Sequence, residues 1–159
     1  MPNDVEYMQL ALDEAYTSAV ADEVPIGAVL VYKDAVLARS GNRTMRDNDP
    51  TAHAEILVLR EAARTLGNHR LTGTVLYVTV EPCAMCAGAI VQSRIARLVY
   101  GAADPKAGAC ESLYRLVSDP RLNHRVPVTS EVLATECGEV LKEFFQERRA
   151  FRKLDEDST

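Results

Sequence analysis

Apolar and polar positions follow two rhythms along this chain. Met8, Leu12, Ala15 and Ala19 recur at three- to four-residue spacing across 4–21, which predicts one face of a helix. VPIGAVLVY (24–32) is almost continuously apolar and predicts a buried strand. Lys33-Asp34 predicts a turn and AVLARSG (35–41) a strand returning from it, although this pair is not the Asn-Gly sequence that hairpins prefer. After the polar loop NRTMRDNDP (42–50), a helix is expected over 52–65, ending near Gly67-Asn68. GTVLYVTV (73–80) is rich in β-branched residues and predicts a strand. There follow an expected helix over 83–93, a strand ARLVYGA (96–102), the loop ADPKAGAC, a short helix near 112–117, a strand near 126–129 and a last helix over 135–153. No repeat, low-complexity segment or linker breaks this order. Strands alternating with helices predict one α/β domain over 1–154, with three α/β/α layers and a mixed central sheet of about five strands. The acidic end, 155–159, is expected to be disordered.

Composition narrows the setting. A chain of 159 residues, 47% hydrophobic and 26% charged, is ordinary for a single soluble domain. The start, MPNDVEYMQLALDEAY, has no basic segment followed by an apolar run, so no signal peptide is expected. No apolar run approaches a membrane span, and a cytoplasmic location is the expectation. The net charge of −5 argues against attraction of the whole surface to nucleic acid. Charge can still be local: RRAFRK (148–153), with Arg121, His124 and Arg125, forms a cluster able to bind phosphates. The competing reading is a solvated helix face with partners such as Glu147.

The candidate chemistry begins at TAHAEILVLR (51–60). His53 and Glu55 are two apart, whereas partners on one helical face are three or four apart. The position four after His53 is Leu57, so a metal-binding His53 must find its fellow ligands elsewhere. EPCAMC (81–86) supplies them. Cys83 and Cys86 stand at i and i+3 at an expected helix start, where thiolates are favoured, with Pro82 at the entry. One imidazole and two thiolates make three zinc ligands, the number that leaves a fourth position for water. Glu55 would then handle the proton of that water rather than hold the metal. Each residue also has a plain reading. His53 can be structural, Glu55 a first-turn acid with Thr51 as N-cap, and the Cys83–Cys86 pair a redox couple. Taken together, H-A-E…E-P-C-A-M-C is the H-x-E…P-C-x-x-C signature of zinc deaminases. Cys110 and Cys137 read as small core or loop residues, and His69 and His124 as structural or surface residues.

On these motifs, together with EVPIGAVLV, DPTAHAEI, LYVTVEPCAMCAGAIVQSRIARLVYGA, LNHRV and FFQERR, the chain resembles the bacterial tRNA-specific adenosine deaminases of the cytidine deaminase-like superfamily. The likeness runs from about Tyr7 to Arg149. It implies a cytidine deaminase-like fold, a zinc ion on His53, Cys83 and Cys86, and Glu55 as proton shuttle. It implies a homodimer that converts adenosine to inosine at the wobble position of the tRNA anticodon stem-loop and releases ammonia. It further implies substrate contacts by Asn42, Ala54, Asp104 and Lys106. Relatives often read G-S-L where this chain has Glu111-Ser112-Leu113, which singles out the backbone there. Two other readings use the same residues. One is deamination of a free base or nucleoside such as guanine or cytosine, to which the NHR turn and FFQERR are superfluous. The other is a zinc-stabilised binding protein, in which Cys110 or Cys137 would close the metal site.

Overall fold

The computed structural model describes residues 2–158. Helix α1 (Asp4–Val20) leads into strands β1 (Gly27–Tyr32) and β2 (Ala35–Gly41), helix α2 (Ala54–Leu66), β3 (Thr74–Val80), α3 (Ala84–Ser93), β4 (Arg97–Ala102), a short β5 (Val128–Thr129) and α4 (Ala134–Asp157). The sheet order is β2-β1-β3-β4-β5. The β2–β1 and β1–β3 pairs are antiparallel and the β3–β4 and β4–β5 pairs parallel, so the sheet is mixed as expected. Both faces are buried, and the period-2 alternation of the strands divides the core in two. Ala28, Leu30, Leu76, Val78, Leu98 and Tyr100 pack with α2 and α3. Val29, Val31, Tyr77 and Val99 pack with α1 and α4. That gives the three-layer α/β/α architecture.

Most expected boundaries hold to within a few residues, and the departures have local causes. β1 begins at Gly27 and not Val24, because Pro25 has no N–H for the ladder and Ile26 N–H turns back to the Val24 carbonyl at 2.8 Å. The Lys33-Asp34 turn has positive φ at both residues, 49° and 61°, the backbone of a type I′ hairpin made without glycine. A register shift between Leu30 and Val31 accommodates an extra residue in β2. The short helix expected near 112–117 is not formed; only a 3₁₀ turn at Leu116–Ser118 exists. The N–H groups of Cys110, Glu111 and Ser112 are drawn to the Glu81 carboxylate, so this segment is wrapped around a side chain instead of into a helix. α4 runs to Asp157, past the expected end at 153; Thr159, the last residue of the expected tail, lies outside the described residues. Among the described residues no helix is long and apolar enough to cross a membrane.

The close seat of α1 on the sheet depends on Gly27. A Cβ there would stand 1.9 Å from the Ala11 carbonyl oxygen and 2.6 Å from the Ala15 nitrogen, both backbone atoms of α1. Gly27→Ala should therefore cost about 3 kcal/mol through overpacking and lower the melting temperature by about 6–12 °C. A thermal melt unchanged within a degree or two would show that α1 can slide away freely.

Candidate metal centre and active site

Two helix N-termini face each other at the C-terminal end of β3. His53 is the N-cap of α2 and is extended (φ −73°, ψ 151°), so Thr51 is not the cap. Cys83 is the N-cap of α3 and is likewise extended (φ −73°, ψ 177°), while Cys86 lies in that helix's first turn and is fully buried. The two-residue spacing of His53 and Glu55 now has a cause. The same-face rule applies only within a helix, and His53 stands just outside it. Its extended backbone lets the imidazole and the Glu55 side chain reach one site from consecutive sides of the helix start.

The three donors converge. His53 Nδ1 lies 3.7 Å from Cys83 Sγ and 3.4 Å from Cys86 Sγ. Donors of a tetrahedral zinc site, with bonds of about 2.0–2.3 Å, would stand about 3.5 Å apart. Among the described residues these are the only His, Cys, Asp or Glu side chains grouped closely enough to hold a metal ion. Cys110 and Cys137 are buried free thiols outside the group: Cys110 sits in the core under α2 and α3, Cys137 on the opposite face of the sheet. The closed four-ligand site is therefore not built.

Ionisation of the cluster suits a cation. The Cys83 thiol is held down to about 3, chiefly by hydrogen bonding with Cys86 and then with His53. Cys86 is pushed strongly up by its bond to Cys83 and by burial. Glu55 is 4% exposed, and burial raises its carboxyl above the usual carboxylate range. A carboxyl poised upward in this way, beside the donors but not one of them, suits proton transfer.

Asn42 ties the site to the sheet. Its Oδ1 accepts the Ala54 N–H at 2.8 Å and so caps α2 in place of His53. The NH2 end is what Asn42 can still offer a ligand. Ala54 is fully buried and its N–H is committed to Asn42. Asp104 folds its carboxylate onto the Lys106 and Ala107 N–H groups at 3.0 and 3.2 Å, which shapes the loop and leaves the Lys106 side chain exposed.

Two buried acids missed in the sequence pin the loops around the site. Glu81, inside the quoted EPC, gathers donors from 104–112. Glu23, 0% exposed, accepts the Arg46 N–H at 2.7 Å and the Met45 N–H at 3.3 Å, with the Arg46 guanidinium 3.5 Å away. The available signal was positional: each stands within two residues of a proline at an end of a strand. The basic cluster is reduced in turn. Arg121 pairs with Asp119 at 2.7 Å, His124 Nε2 donates to the Ile95 carbonyl at 3.0 Å, and Arg125 to the Pro120 carbonyl at 3.0 Å. Arg148 donates to the Asp22 carbonyl at 2.5 Å and lies over the Phe144 ring.

The chain has close relatives among known proteins. The chain is 54% identical over 149 residues to a tRNA-specific adenosine deaminase of Agrobacterium fabrum (strain C58), covering 94% of this chain and 98% of that one. It belongs to the tRNA-specific adenosine deaminase family. The family model described as MafB19-like deaminase matches residues 2–149 of this deaminase. A solved structure from a study of A-to-I editing by tRNA:A34 deaminases at the wobble position superposes with a TM-score of 0.82 at 56% identity, over 85% of this chain and 98% of that one. A guanine deaminase from Nitrosomonas europaea superposes at 0.79 but is 23% identical, over 91% and 85%; it shares the fold.

Proposed function

We infer that the protein hydrolyses adenosine to inosine at the wobble position of a tRNA anticodon, with zinc held by His53, Cys83 and Cys86. The observation that carries this reading is the convergence of one imidazole and two thiols beside a buried carboxyl that is not among them. Thiolate and imidazole donors suit zinc among the biological divalent ions. Zinc in such a site lowers the pKa of a bound water to about 7 and so supplies the nucleophile at neutral pH.

The chain's own residues do the rest. Glu55 takes the proton of the attacking water and delivers it to N1 of the adenine. The proton left on the C6 hydroxyl then passes through Glu55 to the exocyclic nitrogen, the C6–N bond breaks, and ammonia leaves as the carbonyl of inosine forms. Asn42 offers its NH2 to the purine edge, and Ala54, through the capped turn it shares with Asn42, forms the floor of the base site. Asp104 and Lys106 meet the nucleotides flanking the target. Lys106, Lys142, Arg149 and Arg152 line a cleft with the half-exposed Phe145, which suits a phosphate backbone and a stacked base.

The same reading includes a homodimer. The groove between α2 and α3, lined by Ile56, Leu59, Ala63 and Ala89, offers the apolar surface for a second copy. Its place of work is the cytoplasm, with its tRNA. Incubation with anticodon stem-loops and with free bases, scoring inosine and other deaminated products, tests the substrate class. Product from stem-loops is expected; product from free bases alone would overturn the tRNA reading in favour of a small-substrate deaminase.

A further inference from the structure

We propose that Glu81 is a positioning residue: it locks the loop that carries Asp104 and Lys106 to the strand end that carries the metal ligands. Glu81 is 3% exposed and is not one of the grouped donors. Its Oε1 accepts the Asp104 N–H at 3.1 Å and the Ser112 hydroxyl. Its Oε2 accepts the N–H groups of Cys110, Glu111 and Ser112 at 3.1, 2.8 and 2.9 Å. A neutral or shorter side chain cannot accept from both ends of a loop that spans 104–112. The fit is close: a Cβ on Gly108 would stand 2.3 Å from the Glu81 carboxyl carbon. The same loop also bridges to the ligand segment directly, through Ala109 N–H to the Pro82 carbonyl at 2.8 Å and a pairing of Gly108 with Cys83. Glu81 stands two residues before Cys83. Backbone pairing and the Glu81 carboxylate together therefore set the distance between the metal centre and the loop expected to hold the flanking nucleotides, and the carboxylate is the part that reaches Asp104.

This inference rests on the nucleotide-contact reading of Lys106, and the test separates the two. In Glu81→Gln the remaining oxygen can keep the cluster of Cys110, Glu111 and Ser112, with Ser112 Oγ turning to accept from the new NH2. The Asp104 N–H loses its acceptor. The zinc-loaded variant should keep its metal and show faster amide exchange at 103–107. The KM for an anticodon stem-loop should rise about tenfold with kcat changed less than about threefold, the mark of lost binding rather than lost chemistry. Lys106→Ala alone should also raise KM about tenfold, and because Glu81 acts through the loop the two should be less than multiplicative: about thirtyfold together where independent effects would give about a hundredfold. Ser112→Ala, which removes one donor and leaves the fold, should move KM the same way by a smaller factor. Unchanged exchange at 103–107, or KM effects that multiply with Lys106→Ala, would overturn the positioning role. Faster exchange with a silent Lys106→Ala would support the positioning of the loop and overturn the contact assigned to Lys106.

Discussion

Replacing Glu55 by alanine should lower the turnover of an anticodon stem-loop by about a thousandfold or more while leaving the metal in place. General acid–base catalysis contributes about 10²–10⁴-fold, and here one carboxyl is asked to move both protons of the water, one to N1 and one to the exocyclic nitrogen. Among the described residues no carboxylate belongs to the donor group, so none there stands in for it. Glu55→Gln keeps the shape and should lose as much, which separates proton transfer from packing. The burial that raises the Glu55 carboxyl has a pH consequence. The base must be ionised to accept the proton, so activity falls as pH drops through the Glu55 pKa, which burial raises and a bound cation lowers. Single-turnover rates across pH measure both. Near-normal turnover in either variant would remove Glu55 from the chemistry.

The second large effect concerns the ligands. His53→Ala leaves two thiols, and two donors do not make a closed or catalytic zinc site. Metal, turnover and stability should fall together. The donors come from the starts of α2 and α3, so an ion on them joins elements that the core otherwise joins only by packing. Metal bound to the native state alone adds about 4 kcal/mol when its free concentration is a thousandfold above Kd, or about 8–16 °C in a domain of this size. A chelator should lower the melting temperature of the native protein by that amount and leave His53→Ala unmoved. A chelator shift of equal size in both would mean that the stabilising metal is bound elsewhere.

What could be read in the sequence divides along a physical line. Periodicity reports which side of an element is buried, so β1, β3, β4 and the long helices, each with a clear apolar pattern, emerged near their observed bounds. His53, Cys83 and Cys86 were legible because a metal demands donor types in a narrow spacing. Two other kinds of information leave no such trace. One is a segment organised by a distant side chain: the helix expected over 112–117 does not start because Glu81, some thirty positions earlier, captures the N–H groups of Cys110, Glu111 and Ser112 at its beginning. The other is a charge whose partner is set by tertiary contact. Arg148, in the cluster expected to bind phosphates, is engaged by Asp22 and Phe144, while Glu23 and Glu81, given no role in the sequence, are buried anchors. The odd spacing of His53 and Glu55 lies between these cases. The residues could be singled out from sequence, but the reason both reach one site, an N-cap held extended while Asn42 caps in its stead, is conformational.

His53 holding the metal and Glu55 moving the proton are separable roles, and one paired measurement separates them. Zinc content and inosine formation are determined on the same preparations of the native protein, Glu55→Ala and His53→Ala. The expected results, in that order, are about one zinc per chain with full activity, the same zinc with activity lost, and neither zinc nor activity. Zinc lost from Glu55→Ala, or inosine formed by it at near the native rate, would contradict that separation of roles.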